Sequence, residues 1–487
     1  MMFLRARSTA RVRRTQAGVS MIILLLMIGV VGVGIFFGIA HSGNEEKLKR
    51  DRKTEIALAR AKQALLDYAV QYDQTHVPPA HPQYRVAGYL PCPDTGPGSQ
   101  FNGEGNSSLT CRGKNISAIG RLPWRTLDLE DLRDGNGECL WYAVSGTFKN
   151  TLPNTDLPFN WDAAGQFEVY SEDGTPLAGS IADNWIAAVI IAPGLPQGAA
   201  QTRSGLPETP VCGGNYTFSN YLDSVAGMDN GALSVPPAPN IKTKFVQAQE
   251  SNTFNDRLVY ITAADIFNAI ERRPDFYGSG GLIRGMLKKA AECIKARADT
   301  NTSVGKSLVW AADNSNFGST KYFTIDAKYK DDNSRLLGRV PYDIGESNDK
   351  TNGTSDQLVV SSDCSSTSDS MSAWWKEWRE QFFYAVAKGQ APNSAFGDCT
   401  ADGSCLRVNG SGPYAGVVFF GGRKMAGQNR VTATNRRDPI NYLESTNWTT
   451  TPGPSGGDYV TNNDPKHAAL NDLTYCIKPD LSVFDCH

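Results

Sequence analysis

The longest apolar run in the chain is residues 19–40, VSMIILLLMIGVVGVGIFFGIA, 22 positions without a charge. As a helix it is long enough to cross a bilayer core of about 30 Å. Downstream the pattern changes period. Between Lys49 and Tyr72 there is no Gly or Pro, and Leu58, Ala61, Leu65, Tyr68 and Tyr72 recur at steps of three and four. That spacing predicts an amphipathic helix over residues 55–72 with one buried stripe. It must end before Val77-Pro78-Pro79, because proline lacks the amide donor and pushes the preceding residue out of helical geometry. A second helix of the same kind is predicted over residues 282–298. Short apolar, β-branched and aromatic runs predict strands at 140–144, 167–170, 185–192 and 258–261, and again at 308–310, 322–325, 416–420 and 473–477.

The two strand sets belong to an internal duplication. Gly120-Arg121-Leu122-Pro123-Trp124 returns as Gly338-Arg339-Val340-Pro341-Tyr342, and Glu138-Cys139-Leu140-Trp141-Tyr142-Ala143-Val144 as Glu380-Gln381-Phe382-Phe383-Tyr384-Ala385-Val386. The run 187–191 with Gly194, Gln201 and Arg203 matches 415–419 with Gly422, Gln428 and Arg430. Asn220-Tyr221-Leu222-Asp223-Ser224 matches Asn441-Tyr442-Leu443-Glu444-Ser445, and Asn255-Asp256 matches Asn471-Asp472. The blocks keep their order while the spacing between copies varies, as loop insertions allow. The Leu90-Pro91-Cys92-Pro93 piece has no copy; Leu308-Val309-Trp310-Ala311 stands there. A Pro/Gly/Ser-rich stretch at 273–281 marks the boundary.

Composition narrows the function. The 487 residues carry 48 Lys and Arg against 50 Asp and Glu, a net charge of −2 without the basic excess that tracks a nucleic-acid backbone. Ten cysteines, all after residue 90 and none in a C-x-x-C pair, point to disulfides in an oxidising compartment beyond the membrane rather than to zinc or redox chemistry.

The N-terminus resembles the class III signal of the type IV pilin and pseudopilin superfamily. Arg5, Arg7, Arg11, Arg13 and Arg14 form an acid-free leader, Gly18 directly precedes the apolar run, and Val19-Ser20-Met21-Ile22-Ile23 follow. The resemblance implies cleavage by prepilin peptidase between Gly18 and Val19 on the cytoplasmic side, methylation of the Val19 amine, and retention of the apolar helix in the inner membrane with the C-terminal part periplasmic or in a surface filament. It also implies packing against other pilins through that helix. Most family members carry glutamate at the fifth mature position, where this chain has Ile23. That departure resembles minor tip subunits, whose first residue meets no preceding subunit. The block at 88–94 with the Gly-Arg-Leu-Pro-Trp motif is also similar to pilin-like proteins of proteobacteria.

Catalytic signatures do not hold up in context. Gly453-Pro454-Ser455-Gly456-Gly457 has the G-x-S-x-G form but loop-like flanks in place of a strand and a helix. Gly305-Lys306-Ser307 lacks the upstream glycine of a phosphate loop, and no H-E-x-x-H occurs among five histidines. For calcium, Asp134, Asn136 and Glu138 alternate oxygen side chains with glycines, and 398–403 offers a second acidic loop; neither has the EF-hand spacing, and a turn ahead of the 140–144 strand is the competing reading. Trp374, Trp375 and Trp378 read as buried within the second copy, with a partner-facing surface as the alternative.

The expected fold class is α+β: a long N-terminal transmembrane and amphipathic helix, then two tandem pilin-head-like units, each a helix on antiparallel sheet. The expected divisions are a leader at 1–18, a helix at 19–72, and heads at 73–275 and 276–487. The expected function is a non-enzymatic minor pilin or pseudopilin, without cofactor unless calcium, at or near the tip of a type IV pilus or type II secretion pseudopilus. The alternative is a membrane-anchored periplasmic binding or adhesive protein outside any filament.

Overall fold

The computed structural model describes residues 45–77, 85–98, 101–152, 156–198, 201–204, 211–233, 242–300, 307–332, 334–344, 356–357, 370–392, 398–449 and 456–486. The chain forms two compact units, Met1–Arg52 and Lys53–His487. Of the first, residues 45–52 are described and are helical. The apolar run 19–40 lies outside the described residues, and among those no helix is long and apolar enough to cross a membrane.

Helix α1 is described over Glu45–Gln71 and ends in a π turn over Tyr72–His76 just before Val77. From residue 53 onward its predicted stripe is buried: Ala57, Leu58, Ala61, Leu65, Tyr68 and Ala69 share a core with Leu90, Tyr142, Val144 and Ile190. Leu58 and Leu65 contribute about 1.5–3 kcal/mol each by that burial.

The sheet beneath α1 contains β1 (Ala118–Arg121), β2 (Trp141–Val144), β3 (Phe167–Ser171), β4 (Pro176–Ala178), β5 (Ile186–Ala192), β6 (Thr243–Gln247) and β7 (Arg257–Thr262). Its path is β1-β2-β5-β3-β4, with β7 paired to β5 and β6 paired to β3; only β6 runs parallel to its neighbour. Helix α2 (Ala263–Ile270) follows directly. Thr262 Oγ1 accepts from Asp265 N at 3.0 Å, and the Asp265 carboxylate accepts from Thr262 N at 3.1 Å and meets Lys62 Nζ of α1 at 3.0 Å. The stretch at 273–281 is structured. It contains helix α3 (Pro274–Tyr277), whose Phe276 is buried, and Arg273 holds Asp73 at 2.7 Å.

Helix α4 (Leu282–Thr300) opens the second half. It is followed by β8 (Leu337–Arg339), α5 (Ser370–Trp378), β9 (Phe382–Val386), α6 (Cys399–Asp402), β10 (Leu406–Val408), β11 (Ser411–Tyr414), β12 (Gly416–Phe420), α7 (Ala433–Arg437), β13 (Asp458–Tyr459), β14 (Leu473–Ile477) and β15 (Val483–Phe484). The main sheet runs β8-β9-β12-β14-β15, and β10 lies between β11 and β13 in a separate ladder. Helix α4 packs on β12, β14 and β15.

Each of β1 to β7 has its counterpart seven strands later, in the same pairing except that β3 joins β5 whereas β10 stays apart from β12. Gly120 faces Tyr142 and Arg121 faces Trp141; Gly338 faces Tyr384 and Arg339 faces Phe383. Tyr142 then faces Ile190 and Tyr384 faces Val418. The β3–β4 hairpin with parallel β6 recurs as β10–β11 with parallel β13. Strand parity is conserved too. Tyr142, Val144, Ile190, Tyr384, Val386 and Val418 enter the core that contains α1 and α4, while Trp141 and Phe383 line separate cores on the opposite faces. The molecule is therefore an α+β protein with several sheets.

Two predicted strands take other forms. Residues 308–310 are extended chain outside any strand, although Ala312 just beyond them bridges Arg339, as Asp94 bridges Arg121. Residues 322–324 fall in a 3₁₀ helix, Thr320–Thr324, with Ile325 following as its cap, because Phe323 packs into a small aromatic cluster with Phe317 and Tyr329 instead of a sheet face. The expectation of disulfides is met by Cys92–Cys111, Cys139–Cys212, Cys399–Cys405 and Cys476–Cys486. Cys293 is also disulfide-bonded, and Cys364 lies outside the described residues.

Candidate functional site

Gly18 and Val19 lie outside the described residues. The calcium candidates form a turn in which Asp134 and Glu138 already have partners. Asp134 Oδ1 accepts from Asn136 N at 2.8 Å and Glu138 N at 3.0 Å, and Asp134 Oδ2 accepts from Gly194 N at 2.9 Å. Glu138 faces Arg203 at 3.2 Å. In the second acidic loop, Asp398 caps α6 through Thr400 N and Asp402 accepts from Ser404 N. Among the described residues no group of His, Cys, Asp and Glu is arranged to hold a metal ion. Trp374 and Trp378 are buried. The serine of the G-x-S-x-G motif is outside the described residues, and His467 is exposed, its ring accepting from Ala469 N at 3.3 Å.

What the fold does assemble is a polar network that occurs twice. In the first copy Asp256 Oδ2 accepts from Asp223 N at 2.7 Å and Asn230 Nδ2 at 3.0 Å; in the second, Asp472 Oδ2 accepts from Glu444 N at 3.0 Å and Asn447 Nδ2 at 2.7 Å. Each asparagine side chain also pairs with a strand-edge backbone: Asn230 accepts from Val246 N and donates to Val246 O, and Asn447 does the same with Val460. Gln201 donates to Asp223 at 2.7 Å and Gln428 to Glu444 at 2.8 Å. Arg203 lies 4.7 Å over the Tyr221 ring and donates to Gly194 O; Arg430 lies 4.1 Å over Tyr442 and donates to Gly422 O. Burial, then the neighbouring carboxylate, push Asp256 and Asp472 well above the usual aspartate range. These groups fasten loops across each sheet end.

The second assembly is the seam between the copies. The loop between β2 and β3 inserts Phe159, Asn160, Trp161 and Asp162 against the α5–β9 junction. Glu377 Oε2 accepts from Phe159 N at 2.8 Å, and Asn160 Nδ2 donates to Glu377 O at 2.9 Å and Glu380 Oε1 at 2.7 Å. Gln381 donates to Asp162 at 3.1 Å, and Arg436 of α7 donates to Asp162 O while pairing with Glu380 at 3.1 Å. Around this polar strip the rings interlock, with Trp161 4.6 Å from Trp378, and Trp378 5.5 Å from Phe276 and 6.1 Å from Phe267. Glu380 is wholly buried, and a buried ion pair of this kind resists separation because parting it strands a charge. Burial pushes Glu377 up to about 7. The seam was not found from sequence. Its only signal is the density of charge among aromatic residues at 374–383, since residues 159–162 read as an ordinary loop.

The arrangement joins two α+β halves through a continuous core and a buried charge network, which suits a rigid scaffold. No family model, characterised protein or solved structure matches the chain.

Proposed function

We propose that this is a non-enzymatic, pilin-like subunit with a double head, anchored in the bacterial inner membrane through residues 19–40 and processed by prepilin peptidase between Gly18 and Val19. The two heads are the halves that follow α1, each a helix on antiparallel sheet. The observation that carries the reading is the junction of motif and fold: a basic leader, Gly18 and an uncharged run stand directly upstream of α1, whose stripe from residue 53 packs on the first sheet. The duplicated network supports a second head of the same design. Ile23 in place of the family's glutamate supports a place at or near the tip of a type IV pilus or type II secretion pseudopilus, since an interior subunit needs a carboxylate for its neighbour's buried amine. Its partners on this reading are the peptidase, other pilins along the N-terminal helix, and the membrane.

The test is the mature N-terminus. Mass spectrometry of the protein from cells with prepilin peptidase should find Val19 first, often methylated, and Gly18→Arg should leave full-length precursor. An intact Met1 in the wild type, or normal processing of the variant, would refute the pilin assignment and leave a membrane-anchored binding protein.

A further inference from the structure

The two heads close their sheets differently at one edge. In the second, the chain leaves β14, turns back over residues 478–482 and lays β15 antiparallel on the outer side of β14, with Cys476 facing Phe484 and Ile477 facing Val483. The Cys476–Cys486 disulfide ties this hairpin. In the first head β7 holds the place of β14. Tyr260 pairs with Val189 as Cys476 pairs with Val417, and Ile261 pairs with Ala188 as Ile477 pairs with Gly416. From β7 the chain passes straight into α2, so no hairpin returns. Among the described residues β7 pairs with β5 alone, and no isolated bridge reaches it. Val259 and Tyr260 are half-buried, whereas Cys476 and Ile477 beside β15 are fully buried.

The other outer strands are closed or blunted. At β1, Asp94 exchanges backbone hydrogen bonds with Arg121 at 3.0 and 2.8 Å, and at β8, Ala312 does so with Arg339 at 3.0 Å each way. The Asn230 side chain takes both Val246 N and Val246 O on β6, and Asn447 treats Val460 beside β13 in the same way. Strands β4 and β11 contain Pro176 and Pro413, which offer no amide, and β15 is only two residues long. Against these, β7 presents Leu258-Val259-Tyr260-Ile261, a run without charge, Gly or Pro. An apolar, β-branched and aromatic edge left unprotected is a template for pairing with another strand.

We infer that β7 is a strand-addition site: it receives an extended apolar and aromatic segment of another polypeptide, antiparallel, as β14 receives Val483 and Phe484. A second copy of this chain does not supply that segment, because its own matching strand is engaged on β14 and tied by Cys476–Cys486. Main-chain hydrogen bonds supply the affinity, and the half-buried Val259 and Tyr260 side chains, on opposite faces of the sheet, select the incoming residues. The inference rests on the duplicated fold and is independent of how the N-terminus is processed.

The experiment is hydrogen exchange at single-residue resolution on the full chain in detergent. Without a partner, the β7 amides that point away from β5 should exchange at least about tenfold faster than the β14 amides that face β15. The probe is the pentapeptide Leu-Ser-Val-Phe-Asp, the sequence of residues 481–485. At millimolar concentration it should slow exchange along β7 saturably and leave β14 unchanged. The same peptide methylated on its Val and Phe nitrogens keeps the side chains but loses the donors, and should have no effect. Outward β7 amides as protected as those of β14 in the monomer, a parent peptide without effect, or a methylated peptide that acts as well as the parent would each overturn the assignment. Protection of β7 that appears only as the chain self-associates in sedimentation would place a second copy on the edge and overturn the assignment to another polypeptide.

Discussion

Glu377→Gln should stabilise the protein at neutral and alkaline pH and leave it nearly unchanged in acid. Glu377 sits in the seam with Oε2 accepting from Phe159 N at 2.8 Å, and burial raises its pKa from an ordinary 4.5 to about 7. The charges of Lys376 and Arg379 and the Phe159 amide pull the value down, while Glu380 pushes it up; burial outweighs them. Below pH 4.5 the carboxyl is neutral in both folded and unfolded chains. Between 4.5 and 7 the unfolded chain releases the proton and the folded one keeps it, so stability falls as pH rises through that window and is flat above it. At about 1.4 kcal/mol per pH unit, the loss attributable to this one group is about 3 kcal/mol. Glutamine keeps an oxygen for the Phe159 amide and has no charge to lose. The assay is urea unfolding of both proteins at pH 4, 6 and 8, taking the difference at each pH so that Asp256 and Asp472, whose raised values act in the same direction, cancel. An advantage of about 3 kcal/mol for the variant at pH 8 that vanishes by pH 4 is expected. A difference that does not change with pH would refute the reasoning.

Two further outcomes follow from the buried networks. Glu380→Gln leaves Arg436 with Asp162 O but without its carboxylate, and should cost about 3–5 kcal/mol in urea unfolding at neutral pH. Asn230→Ala and Asn447→Ala each strip an aspartate and a strand edge of the same hydrogen bonds, so each should cost about 1–3 kcal/mol, and the two losses should agree within about 1 kcal/mol if the halves are energetic as well as geometric copies.

The duplication was legible because its blocks are the places where geometry leaves little choice. A Cβ on Gly120 would lie 2.3 Å from Asp94 O, and one on Gly338 would lie 2.1 Å from Ala312 O, so the close bridge beside each arginine requires glycine. The tyrosine opposite each glycine reaches the backbone of the preceding extended segment, Tyr142 to Pro91 O and Tyr384 to Val309 O. Helices α1 and α4 were legible from period alone. The acidic turn at 134–138 was ambiguous for a physical reason. Alternating oxygens among glycines can ligate calcium or accept backbone amides, and only the fold shows that the amides of Asn136, Glu138 and Gly194 take Asp134. Residues 322–325 misled because aromatic and β-branched residues suit a strand face, whereas here the rings meet arginines: Arg339 lies 5.6 Å over Phe323, and Arg379 lies 4.3 Å over the adjoining Tyr329.

The halves have diverged mainly in how they meet buried charge. The first satisfies Arg121 through a disulfide-closed loop bearing Glu104, and holds α1 through the Lys62–Asp265 and Arg273–Asp73 pairs. In the second, residues 313–337 stand in that loop's place with an aromatic cluster of Phe317, Phe323 and Tyr329 and without the carboxylate, and Arg379, Arg430 and Arg436 gather with Glu377 and Glu380 where it meets the first. Hydrophobic contact alone would allow many ways of docking two sheets with their helices, since apolar side chains tolerate rearrangement of shape at small cost. The donors and acceptors of Asn160, Glu380 and Arg436 are directional, and each leaves a buried polar group stranded if the halves slip. The charge network therefore fixes the relative orientation of the halves at the expense of some stability.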